Sequence, residues 1–314
     1  MGRGKAMDSI RFVAEFTTNH LGNFNLLLRM VNKAAEAGCS LIKMQKKDIH
    51  SFYSTEKLNT PYESPYGKTY AEYREIFEFD EYDFARFGKA CTAQDIPWFA
   101  TVQDIPSLDF LLRFDLDIYK IASINIRNSE LISAVLASIP KSKEIVFSTG
   151  GASAAEIEGM LNKFSSFKKV TILHCVAEYP CIPENLRLGN IPELIRLFSS
   201  PGIEIGYSGH EEGYIPSLVA IGLGAKMIER HFCVSRTSFA HHIDCSLEPD
   251  EYNQLIQITR NAASPEELLA YKDRLPAEAM NSFFGMSRIE SDFLLEGRYG
   301  TKYIKGKSEI YVER

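Results

Sequence analysis

Two histidines and two lysines stand where chemistry needs them. His210 in GYSGHEEG and His231 in MIERHF lie 21 residues apart, each close to the end of a short apolar run, with a helix-like segment between. Two imidazoles without a thiolate suit a divalent Mn, Fe, Co or Zn ion that keeps open positions for water or substrate. The plainer reading is two histidines that each pack or hydrogen-bond locally. Lys43 in LIKMQ and Lys120 in IYKIAS interrupt apolar runs. A lysine in a buried strand must not be left as an unpaired charge. It either points into a cleft and grips an anion, or buries its stem and snorkels to water. Thr101, Ser123 and Ser208 end or near-end three further runs. Two cations and three hydroxyls describe a pocket for phosphate plus carboxylate. The same lysines leave Schiff-base chemistry open.

The elements that must position these groups alternate along the chain. Apolar runs at residues 10–16, 41–46, 97–102, 118–123, 144–149, 170–175, 203–208 and 227–232 read as strands. Residues 25–38 read as a helix stopped by Gly38, and Ser153 with Glu156 three residues on is a capping box. Near-continuous apolar strands alternating with helices imply a parallel sheet covered on both faces. Eight such units predict an α/β fold of the (β/α)8 TIM-barrel type, with the site at the C-terminal strand ends. There all the residues above, together with Glu15, Gln45, Tyr179 and Glu229, share one rim. His174 and Cys175 are adjacent and so point to opposite faces, which excludes them as a dyad. The Gly-rich turn at 148–153 offers amides to an anion or is a plain loop. Residues 48–79, rich in Tyr and turn formers, are expected to be a long loop after the second strand.

The bulk numbers agree. The chain has 314 residues, 45% hydrophobic, with net charge −6 and dispersed Lys and Arg, so no nucleic-acid footprint is expected. No run approaches a membrane span, and the N-terminus lacks both a secretory signal and, with Ala6, a myristoylation site. Six scattered cysteines without a CxxC pair read as buried reduced thiols of a cytoplasmic protein.

The motifs AEFTTNHLGNF, LIKMQ, YKIAS, FSTGG, ILHCVAEYP, GYSGHEEG, MIERHF and SLEPDE, in this order, resemble the sialic acid synthase family, over residues 10–255. The resemblance implies a metal-dependent condensation of phosphoenolpyruvate with the aldehyde of an N-acylated hexosamine, giving a 2-keto-3-deoxy sugar acid of nonulosonate type. It implies that Lys43, Thr101, Lys120, Ser123 and Ser208 hold phosphoenolpyruvate. It places a divalent ion, Mn2+ ahead of Mg2+ or Co2+, on His210 and His231. Glu15, Gln45 and Tyr179 would face the sugar, Glu15 with a role in proton transfer, and Glu229 would orient a ligand or water. The chain departs from the pattern at Gln103, Asn125, Ala177 and Gly209. His242 stands at the position of a sugar-contacting Asp, as an acceptor contact, a third metal ligand or a plain loop histidine. The family's C-terminal antifreeze-like domain has no counterpart, so residues 1–262 are expected to form the barrel and 263–314 a short extension packing on it. A homodimer is expected. A Schiff-base aldolase and a noncatalytic ligand-binding relative remain the alternatives.

Overall fold

A computed structural model describes residue 7 and residues 9–294. Ten strands occur among them: β1 (Arg11–Glu15), β2 (Leu41–Lys46), β3 (Pro61–Ser64), β4 (Gly67–Thr69), β5 (Trp98–Val102), β6 (Ile118–Ile121), β7 (Glu144–Ser148), β8 (Lys169–Cys175), β9 (Ile203–Gly209) and β10 (Met227–His231). Eight of them close a parallel barrel in the order β1-β10-β9-β8-β7-β6-β5-β2. The expected (β/α)8 barrel is therefore what the chain forms. The eight expected strands agree with the observed ones to within two residues at either end.

The period of two along a strand builds the barrel interior in layers. On β1, Arg11, Val13 and Glu15 follow one another on one face; on β7 the series is Glu144, Val146 and Ser148. At the N-terminal end Arg11 bonds Glu144 at 2.8 and 2.9 Å and Thr171 at 3.0 Å, and pairs with Glu204, so four strands meet in an ionic floor. Above it Val13, Leu41, Phe99, Val146, Leu173 and Met227 form an apolar plug. Gly206 belongs to this level because a Cβ there would come within 2.6 Å of Leu173 and 2.5 Å of the Met227 carbonyl. The next residue inward on each strand is polar and faces the C-terminal mouth. The plug separates this charged layer from the floor, which keeps water out from below.

Crossover helices cover the outside. The first, Phe24–Ala37, starts where Asn23 Oδ1 accepts the Leu26 amide at 3.1 Å and ends at Gly38, whose φ of 89° is left-handed. The capping box of Ser153 and Glu156 opens the helix Ala154–Phe164.

Residues 48–79 are not the expected long loop. They hold three short helices (Ile49–Phe52, Thr55–Leu58 and Tyr70–Glu75) and the antiparallel β3–β4 hairpin. Phe52, Tyr53, Leu58, Tyr70, Tyr73 and Phe77 bury one another in a satellite core. Their amphipathic rings gave no clean period, so the sequence concealed a folded cap. At the other end of the chain, Pro265–Leu269 packs against Ile215–Gly222, and Glu290 of the helix Arg288–Leu294 accepts the Ala177 amide at 2.9 Å. The GRYGTKYIKGKSEIYVER stretch lies outside the described residues. All six cysteines are buried free thiols, and no helix among the described residues is long and apolar enough to cross a membrane.

Candidate active site

The charged layer at the barrel mouth is a quartet. Lys43 ion-pairs with Glu15 and lies 3.6 Å from Glu229, while Lys120 pairs with the same Glu229 oxygen. Register explains the arrangement: Glu15 is level with Lys43 on one side and His231 on the other, Thr101 is level with Lys120, and Ser208 with Glu229. Lys43 donates to Thr101 Oγ1 at 2.9 Å and Ser208 to Glu229 at 3.1 Å. All four charged side chains are buried, so each is tolerated only because it is paired. Burial pushes the Glu229 carboxyl up, but Lys120 and Lys43 outweigh it and bring its pKa down to about 2. Burial, reinforced by the charge of Glu229, holds Glu15 above the usual carboxylate value despite Lys43. The lysines are thus neither snorkelling nor waiting bare for an anion. Protein carboxylates occupy them, a partnership that the motif spacing did not reveal.

His210 and His231 stand beside this quartet with ring centroids 5.4 Å apart. His210 Nδ1 is 2.9 Å from the Val176 carbonyl. A carbonyl only accepts, so Nδ1 carries the proton and Nε2 the lone pair. His231 Nδ1 is 3.7 Å from Cys245 Sγ. Neither Nε2 has a hydrogen-bond partner among the described residues. Burial, then for each the neighbouring histidine (His231 for His210, His242 for His231), drives both pKa values well below the ordinary imidazole value. Two neutral imidazoles with free, buried Nε2 atoms fit a divalent ion as ligands, their Nδ1 partners fixing the ring orientation. No group of three His, Cys, Asp or Glu able to hold a metal occurs among the described residues, so His242 does not join them as a ligand set. It stacks on Tyr179 instead, at 4.2 Å between centroids. Behind the pair, Arg230 bonds Glu211 at 2.7 Å and Ser217 at 3.0 Å, and Glu211 accepts from Tyr207 at 2.7 Å. This outward-facing network ties the ends of β9 and β10 together and fixes where His210 sits.

The mouth opens in two steps. An inner chamber of about 370 Å³ is lined by the quartet, Thr101, Ser123, Ser148, Ser208 and both histidines. An outer chamber of about 790 Å³ lies under the cap and shares Gln45, Gln103, Ser123, Tyr179 and His231 with the inner one. All twelve predicted site residues therefore converge, although at different depths. Glu15, Lys43, Lys120, Thr101, Ser208 and Glu229 form the floor, with Glu15 facing Lys43 instead of lying in the sugar region. Gln45, Ser123, Tyr179 and His231 bridge the chambers, and His242 lines only the outer one. Gln45 Nε2 donates to Glu15 Oε1 at 2.8 Å.

Other histidines serve the fold. His20 stacks on Phe79 and accepts the Gly22 amide, and His174 bonds the Leu186 carbonyl on the outer face at 2.8 Å, which bears out its separation from Cys175. Burial pushes the Cys175 thiol up to about 12, far from a nucleophilic thiolate. In the Gly-rich turn, Ser153 and Glu156 take up the helix amides, while the Gly150 amide donates to Ser123 Oγ at 3.0 Å. The turn positions Ser123. Sequence reasoning passed over Ser148, whose buried Oγ has no partner among the described residues, although its place at a strand end was the available signal. It also missed Lys47 and Arg74. Nothing local distinguishes Arg74 from a surface residue of a loop.

Fold and site together define an α/β-barrel enzyme that handles an anionic substrate at a two-histidine centre. The chain belongs to the NeuB family, whose model matches residues 30–267. It is 33% identical to an N-acetylneuraminate-9-phosphate synthase of Drosophila melanogaster, over 82% of this chain and 69% of that one. An N,N'-diacetyllegionaminic acid synthase of Campylobacter jejuni subsp. jejuni is 29% identical over 79% of this chain and 75% of its own length. Among solved structures, an N-acetylneuraminic acid synthetase from Leptospira borgpetersenii serovar Hardjo-bovis, in complex with citrate, superposes with a TM-score of 0.68 at 30% identity, over 84% of this chain and 91% of that one.

The departures from the family pattern are not scattered. Asn125 Nδ2 donates to the Gln103 carbonyl at 3.0 Å, so two of the altered positions contact each other. A double-mutant cycle on Gln103→Ala and Asn125→Ala, read by urea unfolding, is expected to show coupling of about 1 kcal/mol. Strict additivity would mean that the contact is energetically idle.

Proposed function

We propose that this chain condenses phosphoenolpyruvate with an N-acyl hexosamine-like aldose, in a metal-dependent reaction that yields a 2-keto-3-deoxy sugar acid of nonulosonate type and phosphate. The observation that carries the reading is the inner chamber. It sets two lysines, three hydroxyls and the unpartnered Ser148 Oγ beside two histidines held neutral.

The phosphate and carboxylate of phosphoenolpyruvate bind at Lys43, Lys120, Thr101, Ser123 and Ser208. Two lysines and two carboxylates make the quartet neutral, so an incoming anion needs compensating charge. Glu15 supplies part of it by taking a proton, which its raised pKa favours. A divalent ion on His210 and His231, manganese before magnesium or cobalt, provides Lewis-acid polarisation of the aldehyde when bound. C3 of the enol forms the new bond to the aldehyde carbon, and the aldehyde oxygen takes up a proton from the Glu15 side. Water adds at C2, the C2–O bond to phosphate breaks, and phosphate leaves. Gln45, Tyr179 and His242 face the acceptor, and Glu229 keeps Lys120 and Ser208 in place. Residues 1–262 constitute the catalytic barrel, with residues 263–314 as its extension. The setting is cytoplasmic, with a barrel-to-barrel homodimer as the expected assembly.

The test is phosphate release from phosphoenolpyruvate with Mn2+, against a panel of N-acyl hexosamines and neutral aldoses, with and without EDTA. EDTA-sensitive release with one acceptor class is the expected result. Borohydride with pyruvate is expected to leave no covalent adduct, because Lys43 and Lys120 are ion-paired and not free amines. An adduct on either lysine would favour the aldolase, and phosphoenolpyruvate binding without turnover on any acceptor would favour a ligand-binding role.

A further inference from the structure

The outer chamber contains two cations and no carboxylate. Its lining includes Lys47 and Arg74 together with His241 and His242, but no Asp or Glu. Both cations are more than nine-tenths buried, Arg74 at 5% exposure and Lys47 at 8%. Arg74 forms no hydrogen bond and no ion pair among the described residues, and its Nε is a buried donor without a partner. Its only neighbours of electrostatic consequence are the faces of Tyr53 and Phe77, at 5.8 and 5.9 Å. Lys47 Nζ donates to the Tyr53 hydroxyl at 3.0 Å and sits 4.1 Å over the Phe52 ring. Glu78, the nearest candidate counter-charge, is engaged by Lys46 at 3.1 Å and by the Lys47 backbone amide. Burial and the charge of Arg74 together bring the Lys47 pKa down to about 7. The contrast with the inner chamber is physical. There every lysine has a carboxylate; here two adjacent buried cations have none, an arrangement that costs folding stability unless something anionic completes it.

We propose that Lys47 and Arg74 receive a phosphate monoester on the sugar acceptor, so that this protein's acceptor is a hexosamine phosphate and not a neutral sugar. The proposal rests on the synthase reading, which puts the acceptor in the outer chamber. The acceptor's aldehyde end lies toward His231 and Tyr179, which line both chambers. Its phosphate lies under the cap, where the guanidinium offers paired donors to phosphate oxygens and Lys47 a point charge. The cap's aromatic cluster holds both cations in place and excludes the water that would otherwise screen them. Since Arg74 belongs to the cap helix Tyr70–Glu75, the cap and the acceptor would order each other.

The experiment compares N-acetylhexosamines of gluco, galacto and manno configuration with their 6-phosphates, as acceptors in the phosphate-release assay and as ligands by calorimetry without phosphoenolpyruvate. For the wild type, kcat/KM is expected to favour a 6-phosphate over its neutral sugar by about 100-fold. Arg74→Met and Lys47→Met are each expected to raise the KM for the 6-phosphate by about 10-fold or more and to leave the KM for phosphoenolpyruvate unchanged. Arg74→Met is also expected to melt no lower than the wild type in the absence of ligand, since it removes an uncompensated buried charge. A wild-type protein that uses or binds neutral sugars as well as their 6-phosphates would overturn the proposal. So would a shift in the KM for phosphoenolpyruvate in Arg74→Met, or a large loss of melting temperature, which would make the guanidinium structural. Inorganic phosphate alone is the third arm: binding tighter than that of every 6-phosphate would make the site one for the free ion. If no acceptor releases phosphate, the synthase reading fails, yet calorimetry still decides: selective binding of a 6-phosphate, lost in Arg74→Met, supports the site, and equal binding overturns it.

Discussion

Lys120→Met is expected to lower kcat/KM for phosphoenolpyruvate by about 10³-fold, the loss of a charged donor from a closed anion site. The same substitution strands Glu229, whose low pKa depends on Lys120 first and Lys43 second among the opposing charges. Removing one partner of a buried pair costs about 3–5 kcal/mol. Lys120→Met alone should therefore unfold at clearly lower denaturant, and lost activity by itself would be ambiguous. The double variant Lys120→Met/Glu229→Gln resolves the ambiguity. It removes both charges of the pair, so unfolding is expected to return most of the way to wild type while turnover stays low. A double variant that regains both stability and turnover would show that Lys120 serves the fold alone.

His210→Ala has the second large expected effect. It removes one of two imidazoles whose Nε2 atoms lack protein partners, so Mn2+ affinity, read by the electron paramagnetic resonance of the free ion, is expected to drop about 100-fold or more and kcat by about 10²–10³-fold. The orientation argument gives a graded control. Arg230 reaches β9 only through Glu211, so Glu211→Gln keeps the volume and is expected to weaken Mn2+ binding about 10-fold without removing any ligand. Unchanged Mn2+ binding in His210→Ala would take the metal away from this pair. Unchanged binding in Glu211→Gln would reduce the outer network to a purely structural role.

The sequence by itself determined the barrel. Eight apolar runs, each long enough for one strand and separated by helix-length segments, leave few ways to bury both faces of a sheet. It also determined which residues meet at the mouth, because a strand's period of two sends Lys43, Lys120, Glu229 and His231 to one side, and a barrel has one C-terminal end. Tertiary structure decided the partners. Closure brings β1, β2, β6 and β10 round one centre, so Glu15 and Glu229 could be assigned to the lysines only once Lys120, 109 residues from Glu229 along the chain, came within bonding distance. The cap was likewise illegible. Its rings are both apolar and polar, its helices are no longer than six residues, and its stability comes from packing on itself and not from any local period. Arg74 shows the difference most clearly. In sequence it is an ordinary charge among tyrosines, and only folding makes it a buried cation with no carboxylate to meet it.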